Sequence, residues 1–308
     1  MLAMVLDRVN GVLQFVPENR DIPTPTADSS VMQIKAFGIN HGELINELTN
    51  PTVPRVRGIE AVGTIYATAE NSGFAIGQKV MTIMGGFGST FDGGYEEYAT
   101  VPNTVLYPLN IDMDWKRLAT LPESFYTAYG SLKLLHLGAG KRLLIRGGSS
   151  SVGLAALMLA KSQGVIVTST TRDPNKVADL KKLGADDVLL DNDTLKTDNE
   201  FDSLLELVGA KTLLDSVSHV SADGYSVLTG GLGGQWTLDN FSPFAINGYL
   251  TKFQSTIVNK DDVAAMSKLI QKGNLSLPII DTFSLKQVSD AQDDVAKTSK
   301  MGKVVVLV

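Results

Sequence analysis

The stretch Leu143-Leu144-Ile145-Arg146-Gly147-Gly148-Ser149-Ser150-Ser151-Val152-Gly153-Leu154-Ala155 decides how this chain folds. An apolar run enters a glycine and serine turn and leaves it as small, apolar helix formers. This is a buried strand, a tight turn and a helix start. In a dinucleotide-binding fingerprint the first glycine makes the turn, the second lets the backbone approach pyrophosphate, and the third lets helix pack on strand. Gly148 and Gly153 align as first and third, with Ser150 in the middle, where a small hydroxyl can admit pyrophosphate and donate to it. The turn Ser149, Ser150, Ser151 and Val152 then presents helix-start N–H groups to phosphate. The same letters also read as a plain small-residue turn with no ligand.

The surroundings repeat the alternation. Arg142–Arg146 reads as a strand and Val152–Gln163 as a helix. Val165–Thr170 is a strand, and Asn175–Leu183 is a helix stopped by Gly184. Val188–Leu190, Phe201–Leu207, Tyr225–Gly230 and Lys252–Val258 follow as strands, with helices at Lys211–His219 and Asp261–Lys272. Repeated β-α-β units predict a parallel, doubly wound sheet. Upstream, Val31–Phe37, Gly58–Tyr66, Val80–Met84 and Tyr95–Val101 are short strands punctuated by glycine, the texture of a β barrel or sandwich. Pro122–His136 has helical spacing with its proline near the start. The closing Gly302–Val308 is a strong strand expected to return to the N-terminal β region.

The residues after the second strand of the β-α-β series bear on the cofactor. An NAD enzyme places Asp or Glu there for the ribose hydroxyls, whereas arginine accommodates a 2′-phosphate. This chain has Thr168-Ser169-Thr170-Thr171-Arg172, with Lys176 one turn on. The expected cofactor is therefore NADPH, with Thr171, Arg172 and Lys176 at its phosphate. Two other readings stay open: Asp173 could pair with Arg172, and the hydroxyls could simply cap a helix beside surface charges.

Composition narrows the function. The chain's 308 residues suggest about two domains. It has no cysteine, which excludes a disulfide framework, a zinc ribbon and a cysteine nucleophile. His41, His136 and His219 never stand at ligand spacing, so no metal site is expected. The balance of 27 basic against 33 acidic residues, a net charge of −6, gives no general attraction for nucleic acid or an anionic membrane. No apolar run approaches the roughly 20 residues of a membrane span. Asp7 and Arg8 come too early for a signal peptide. A soluble, cytoplasmic protein acting on a small molecule is expected. Tyr129-x-x-x-Lys133 has the spacing of a tyrosine–lysine reductase pair but precedes the glycine turn instead of following it. No G-x-S-x-G elbow is present.

Taken together, Ala36–Gly42 (AFGINHG), Phe91–Val101 (FDGGYEEYATV), Pro122–Leu132 (PESFYTAYGSL), Arg146–Ala155, Glu206–Thr212 (ELVGAKT) and GKVVVLV at the end carry a wider likeness. The chain resembles a zinc-independent member of the medium-chain dehydrogenase/reductase superfamily, of the quinone oxidoreductase type. The likeness spans essentially the whole chain. It implies an α/β fold: a GroES-like β domain from 1–120 and 277–308, and a Rossmann doubly wound parallel sheet domain from 121–276. It implies a homodimer or homotetramer.

The resemblance also implies roles. Zinc alcohol dehydrogenases have cysteine at the position matched by Asn40, histidine at that matched by Ile59, and a third ligand near Glu123; one carboxylate cannot replace that set. Without a Lewis acid, hydride goes best to an acceptor that spreads charge by conjugation, a quinone or an α,β-unsaturated carbonyl. Asn40 then stands in the cleft as the hydrogen-bond donor to the acceptor carbonyl, and Ile45 replaces a tyrosine found in some relatives. Tyr126 and Thr127 line the cleft with Phe125, with Thr127 under the nicotinamide, although Phe125 reads equally as core. Thr229 and Gly230, with Phe253 and Ser255, hold the carboxamide, and Val208 and Gly209 meet the adenosine. A different class stays open beside the reductase: an NADPH-binding regulatory or structural protein of the same fold without turnover.

Overall fold

The structure, a computed structural model, describes residues 1–49, 53–239 and 241–308. It divides into two compact units: Met1–Glu123 with Thr256–Gln271 and Ser276–Val308, and Ser124–Ser255 with Lys272–Leu275. The segment Thr256–Gln271 thus groups with the first unit, whereas the sequence carried the second domain on to residue 276.

The first unit opens with a hairpin, β1 (Leu2–Val9) and β2 (Val12–Asn19). Asn10 and Gly11 turn it with φ of 51° and 82°, the left-handed pair that a two-residue hairpin demands. Next come β3 (Ser29–Gly38), α1 (His41–Thr49), β4 (Arg55–Val56), β5 (Glu60–Ala67), β6 (Lys79–Ile83), β7 (Tyr98–Pro102), β8 (Leu106–Pro108) and α2 (Trp115–Leu118). β1 sits between β2 and β4, while a seven-stranded sheet is built around β3. β3 is buried along most of its length, central in its sheet, and gives Met32, Ile34 and Phe37 to a core with Tyr95 and Val306.

The second unit carries α3 (Pro122–Lys133), whose first two residues group with the first unit. It continues with β9 (Arg142–Arg146), α4 (Ser151–Ser162), β10 (Ile166–Thr171), α5 (Val177–Lys182), β11 (Asp187–Leu190), β12 (Phe201–Glu206), α6 (Ala210–Ser218), β13 (Val220–Leu228) and β14 (Tyr249–Lys252). All strand pairs here are parallel, in the order β11-β10-β9-β12-β13-β14. Leu143, Leu144 and Ile145 are fully buried because a central parallel strand is covered on both faces. The chain runs outward from β9 through β10 to β11, then restarts at β12 on the other side of β9. That reversal opens a crevice at the carboxyl ends of β9 and β12, where ligands of open α/β sheets bind.

α7 (Lys260–Gly273), β15 (Ile279–Ser284), α8 (Val288–Lys297) and β16 (Lys303–Leu307) complete the chain. As expected, the terminal strand returns to the N-terminal β region: β16 pairs antiparallel with β3, Val305 opposite Gly38. The strand expected over 252–258 is instead β14, ending at Lys252. Among the described residues it is an edge strand paired with β13 alone, and the ladder stops where β13 stops, at Leu228. No helix among the described residues is long and apolar enough to cross a membrane.

Candidate functional site

In the second unit the glycine turn has a more closed geometry than its letters imply. Gly147, not Gly148, takes the left-handed conformation, φ 81°. Gly148 packs against Ser169 instead, where a Cβ would come within 2.8 Å of that side chain. At Gly153 a Cβ would lie 2.6 Å from the Gly147 carbonyl oxygen, so helix and turn are packed as closely as the third glycine of a dinucleotide fingerprint requires. Ser150 is the N-cap of α4: its Oγ accepts from Gly153 N–H at 3.1 Å and donates to Gly147 O at 2.8 Å. Its hydroxyl proton is committed to the turn and not to a ligand. The helix start leaves first-turn N–H groups without intrahelical acceptors, pointing past the turn.

Behind this turn lies a buried ionic cluster that the sequence reading did not find. Arg146, fully buried at the end of β9, donates to both Asp191 oxygens, to Asp215 and to Ser216. Burial works against its charge, but the bonds to Asp191 and Asp215 prevail and hold its pKa above the ordinary arginine value. Glu206, at the end of β12, accepts from Val208 N–H at 2.7 Å and Gly209 N–H at 3.1 Å through one oxygen, and from Ser216 through the other. Burial pushes its carboxyl up, against these bonds and the Arg146 charge. Val208 and Gly209, the expected adenosine contacts, are thereby fixed from below.

Past the end of β10, Thr171 is buried and its Oγ1 accepts from Asp173 N–H. Asp173 does not pair with Arg172; its Oδ1 accepts from the Asn175 backbone and side chain. Arg172 is exposed, and neither its side chain nor that of Lys176 makes a hydrogen bond or ion pair among the described residues. At the other end of the crevice, one face of α3 meets the chain after β13 and β14. Ser131 Oγ lies 2.8 Å from Thr229 Oγ1 and also donates to Thr127 O at 2.7 Å. The Tyr126 and Phe253 rings are 6.1 Å apart, and Gly130 makes room for Phe253, whose ring a Cβ would meet at 2.1 Å. Four expected residues, Tyr126, Thr127, Thr229 and Phe253, are thus brought together. Gly230 lies against Leu207, and Leu232 and Val208 border Gly147. Gly130 and Ser131 escaped the sequence reading, although a glycine within a helix signals close approach.

In the first unit, Asn40 joins a second buried cluster. Its Nδ2 donates to Glu43 Oε1 and to Glu60 Oε1, both at 2.9 Å, and its Oδ1 accepts from Lys303 Nζ at 2.5 Å. Carboxylates on one side and an ammonium on the other leave only this orientation of the amide. Lys303 and Glu60 also pair directly at 2.8 Å, each 1 % exposed. Glu123 N–H donates to Glu60 at 2.6 Å and Ile59 N–H to Glu43 at 3.3 Å. The three positions matched to zinc ligands therefore do converge, but as Asn40, Ile59 and Glu123. Both N–H bonds of Asn40 are committed within this cluster, which leaves none for an acceptor carbonyl. Ile45 and His41 are exposed on α1. No group of three or more His, Cys, Asp or Glu among the described residues is placed to hold a metal ion.

Comparison with known proteins agrees with this architecture. A family model described as "Alcohol dehydrogenase GroES-like domain" matches residues 26–111, and one described as "Zinc-binding dehydrogenase" matches 183–306. A quinone oxidoreductase of Pongo abelii is 27% identical over 310 residues, spanning 93% of this chain and 91% of its own. Among solved structures, Bacillus subtilis protein yhfP with NAD bound superposes with a TM-score of 0.87 at 22% identity, covering 100% of this chain and 99% of its own. The yhdH oxidoreductase of Salmonella enterica in complex with NADP gives 0.86 at 19%, covering all of both.

Proposed function

This chain belongs to the medium-chain dehydrogenase/reductase superfamily as a zinc-independent member of the quinone oxidoreductase type, and from that premise we propose that it is an NADPH-dependent reductase of quinones or α,β-unsaturated carbonyls. The observation that carries the cofactor choice is the pair Arg172 and Lys176. Two cationic side chains that make no hydrogen bond or ion pair among the described residues stand just past β10, where an NAD enzyme would keep an acid. One structural neighbour was solved with NAD and another with NADP, so the side chains of this chain have to decide.

In this reading, Gly148, Ser149 and Val152 receive the pyrophosphate on backbone N–H groups with Ser151 beside them, while Gly153, its N–H held by Ser150, lets α4 pack close and Ser150 keeps the turn closed. Thr171, Arg172 and Lys176 take the 2′-phosphate. Val208 and Gly209, held by Glu206, flank the adenosine. Thr229, Gly230, Phe253 and Ser255 hold the nicotinamide end, with Tyr126 and Thr127 of α3 orienting its ring. The bound dinucleotide supplies the hydride. The chain supplies orientation and a preorganised polar setting. Neither cysteine nor histidine stands at Asn40, Ile59 or Glu123, so the acceptor has to spread its own charge, as quinones and enones do. Asn40, with its amide locked, serves as a positioning residue that ties the start of α1 to β5 and β16. Assembly as a homodimer or homotetramer is part of the same reading, supported by the exposed edge strand β14.

The test is purified protein with NADPH and a panel of quinones and enones, followed by loss of nicotinamide absorbance. Oxidation well above the protein-free rate is expected. NADPH binding without oxidation across the panel would favour the regulatory or structural alternative, and no binding would overturn both.

A further inference from the structure

The first unit also carries a half-open cavity of about 480 Å³ that the proposed reaction does not use. It lies between Met1, the segment after β2, and the chain that leads into β7. Glu96 lines it, is 3 % exposed, and makes no side-chain hydrogen bond or ion pair among the described residues. A buried carboxyl without a partner is costly and is worth an explanation. Its backbone bridges to Ala3, which fixes where the carboxyl stands. Burial and then the Asp92 carboxylate push its pKa up to about 8, with Arg20 opposing.

The charges around Glu96 decide what could join it. Arg20 is already occupied by Glu18 and Asp92, both at 2.9 Å, and Asp92 is also 3.6 Å from Arg55. The terminal ammonium of Met1 is bonded to Arg20 O, and Glu97 accepts from Leu2 N–H. Asp21 adds a carboxylate to the lining, and Tyr98 OH accepts from Gln33. Asp21 and Asp92 add two carboxylates beside Glu96, while Arg20 and the Met1 ammonium are already bonded, so a ligand charge entering here is better cationic than anionic. Pro23, Phe91 and Pro102 supply apolar wall, and an aromatic face can itself attract a cation. Asp21, Asp92 and Glu96 share the lining, but among the described residues no three His, Cys, Asp or Glu side chains are placed to hold a metal ion.

We propose that this cavity binds a small organic cation with an apolar body, a protonated amine or amidine, whose charge pairs with Glu96. The ligand would supply the partner the carboxyl lacks and displace its proton. This inference does not depend on the reductase reading: turnover of NADPH and occupancy of this cavity can each fail alone.

The probe is benzamidine, whose amidinium stays charged throughout, titrated calorimetrically into the full chain at about pH 6.5 and about pH 9. A carboxyl of pKa about 8 is ionised to about 3% at the lower pH and about 90% at the higher. Affinity is therefore expected to rise about thirtyfold, with about one proton released per ligand at the lower pH. Neutral benzamide should bind at least tenfold more weakly at pH 9. Glu96→Gln, which keeps the shape of the protonated side chain, should abolish the pH dependence. No binding at either pH, equal affinity at both, or benzamide binding as well as benzamidine would overturn the proposal; the wild-type arms decide even if the variant fails to fold.

Discussion

The two ionic clusters solve a similar problem with different outcomes. Around Asn40, Glu43, Glu60 and Lys303 in the first unit, the side-chain amide ends with both donors and its acceptor engaged. Around Arg146, Asp191, Asp215 and Glu206 in the second unit, the buried charges instead fix backbone, the N–H groups of Val208 and Gly209. One strand away, the side chains of Arg172 and Lys176 make no hydrogen bond or ion pair among the described residues. Buried charge in both places works as scaffold, because burial is tolerable only when every lone pair and proton is used. Uncommitted donors at strand ends are what a ligand can take.

The largest effect that could break this contrast is loss of the scaffold itself. Lys303→Met leaves Glu60 buried beside two N–H donors but without its cation, and should cost about 3–5 kcal/mol in urea unfolding. A loss below about 1 kcal/mol would show that Lys303 and Glu60 do not hold the cluster together.

Glu96 is the unpaired counterpart of Glu60, and its linkage has the opposite sign to that of a salt-bridged carboxylate. With a folded pKa of about 8 against an ordinary carboxyl value of 4.5, the folded state keeps a proton that the unfolded state loses. The wild type should therefore lose stability relative to Glu96→Gln as pH rises from 4.5 toward 8, by about 3 kcal/mol at pH 7. Melting curves of both proteins across that window check it; parallel curves would place the carboxyl in contact with water or a cation.

Arg172→Ala sharpens the other side of the comparison. Loss of a charge-assisted contact to the 2′-phosphate should raise KM for NADPH about tenfold to a hundredfold and leave KM for NADH unchanged. Equal effects on both cofactors would remove Arg172 from the phosphate. The smallest expected effect is Ser150→Ala, which deletes the α4 cap and should cost about 1 kcal/mol of stability.

Much of this was legible in the letters, for reasons that differ by region. β9 and α4 announced themselves through an apolar run, a glycine pair and small helix formers, and the parallel sheet followed from β-α-β alternation. The first hairpin also had its signal, Asn10-Gly11 between alternating apolar residues, which the sequence reading passed over. α8 also had its signal, Val288, Ala291 and Val295 at helical spacing against the core, which the sequence reading passed over as it did α1 and β15. The cluster around Asn40 was hidden because its members, Asn40, Glu60 and Lys303, are far apart in sequence and meet only once β16 lies beside β3. Arg146 was hidden differently: a charged residue closing an apolar strand looks exposed until Asp191 and Asp215 arrive from other strands and helices.

The central claim is most directly tested by following the hydrogen itself. NADPH deuterated at C4 on the transferred face should pass its label to the β-carbon of a cyclic enone during turnover, as read by mass spectrometry of the product. Unlabelled product, or none at all with cofactor bound, would contradict the account.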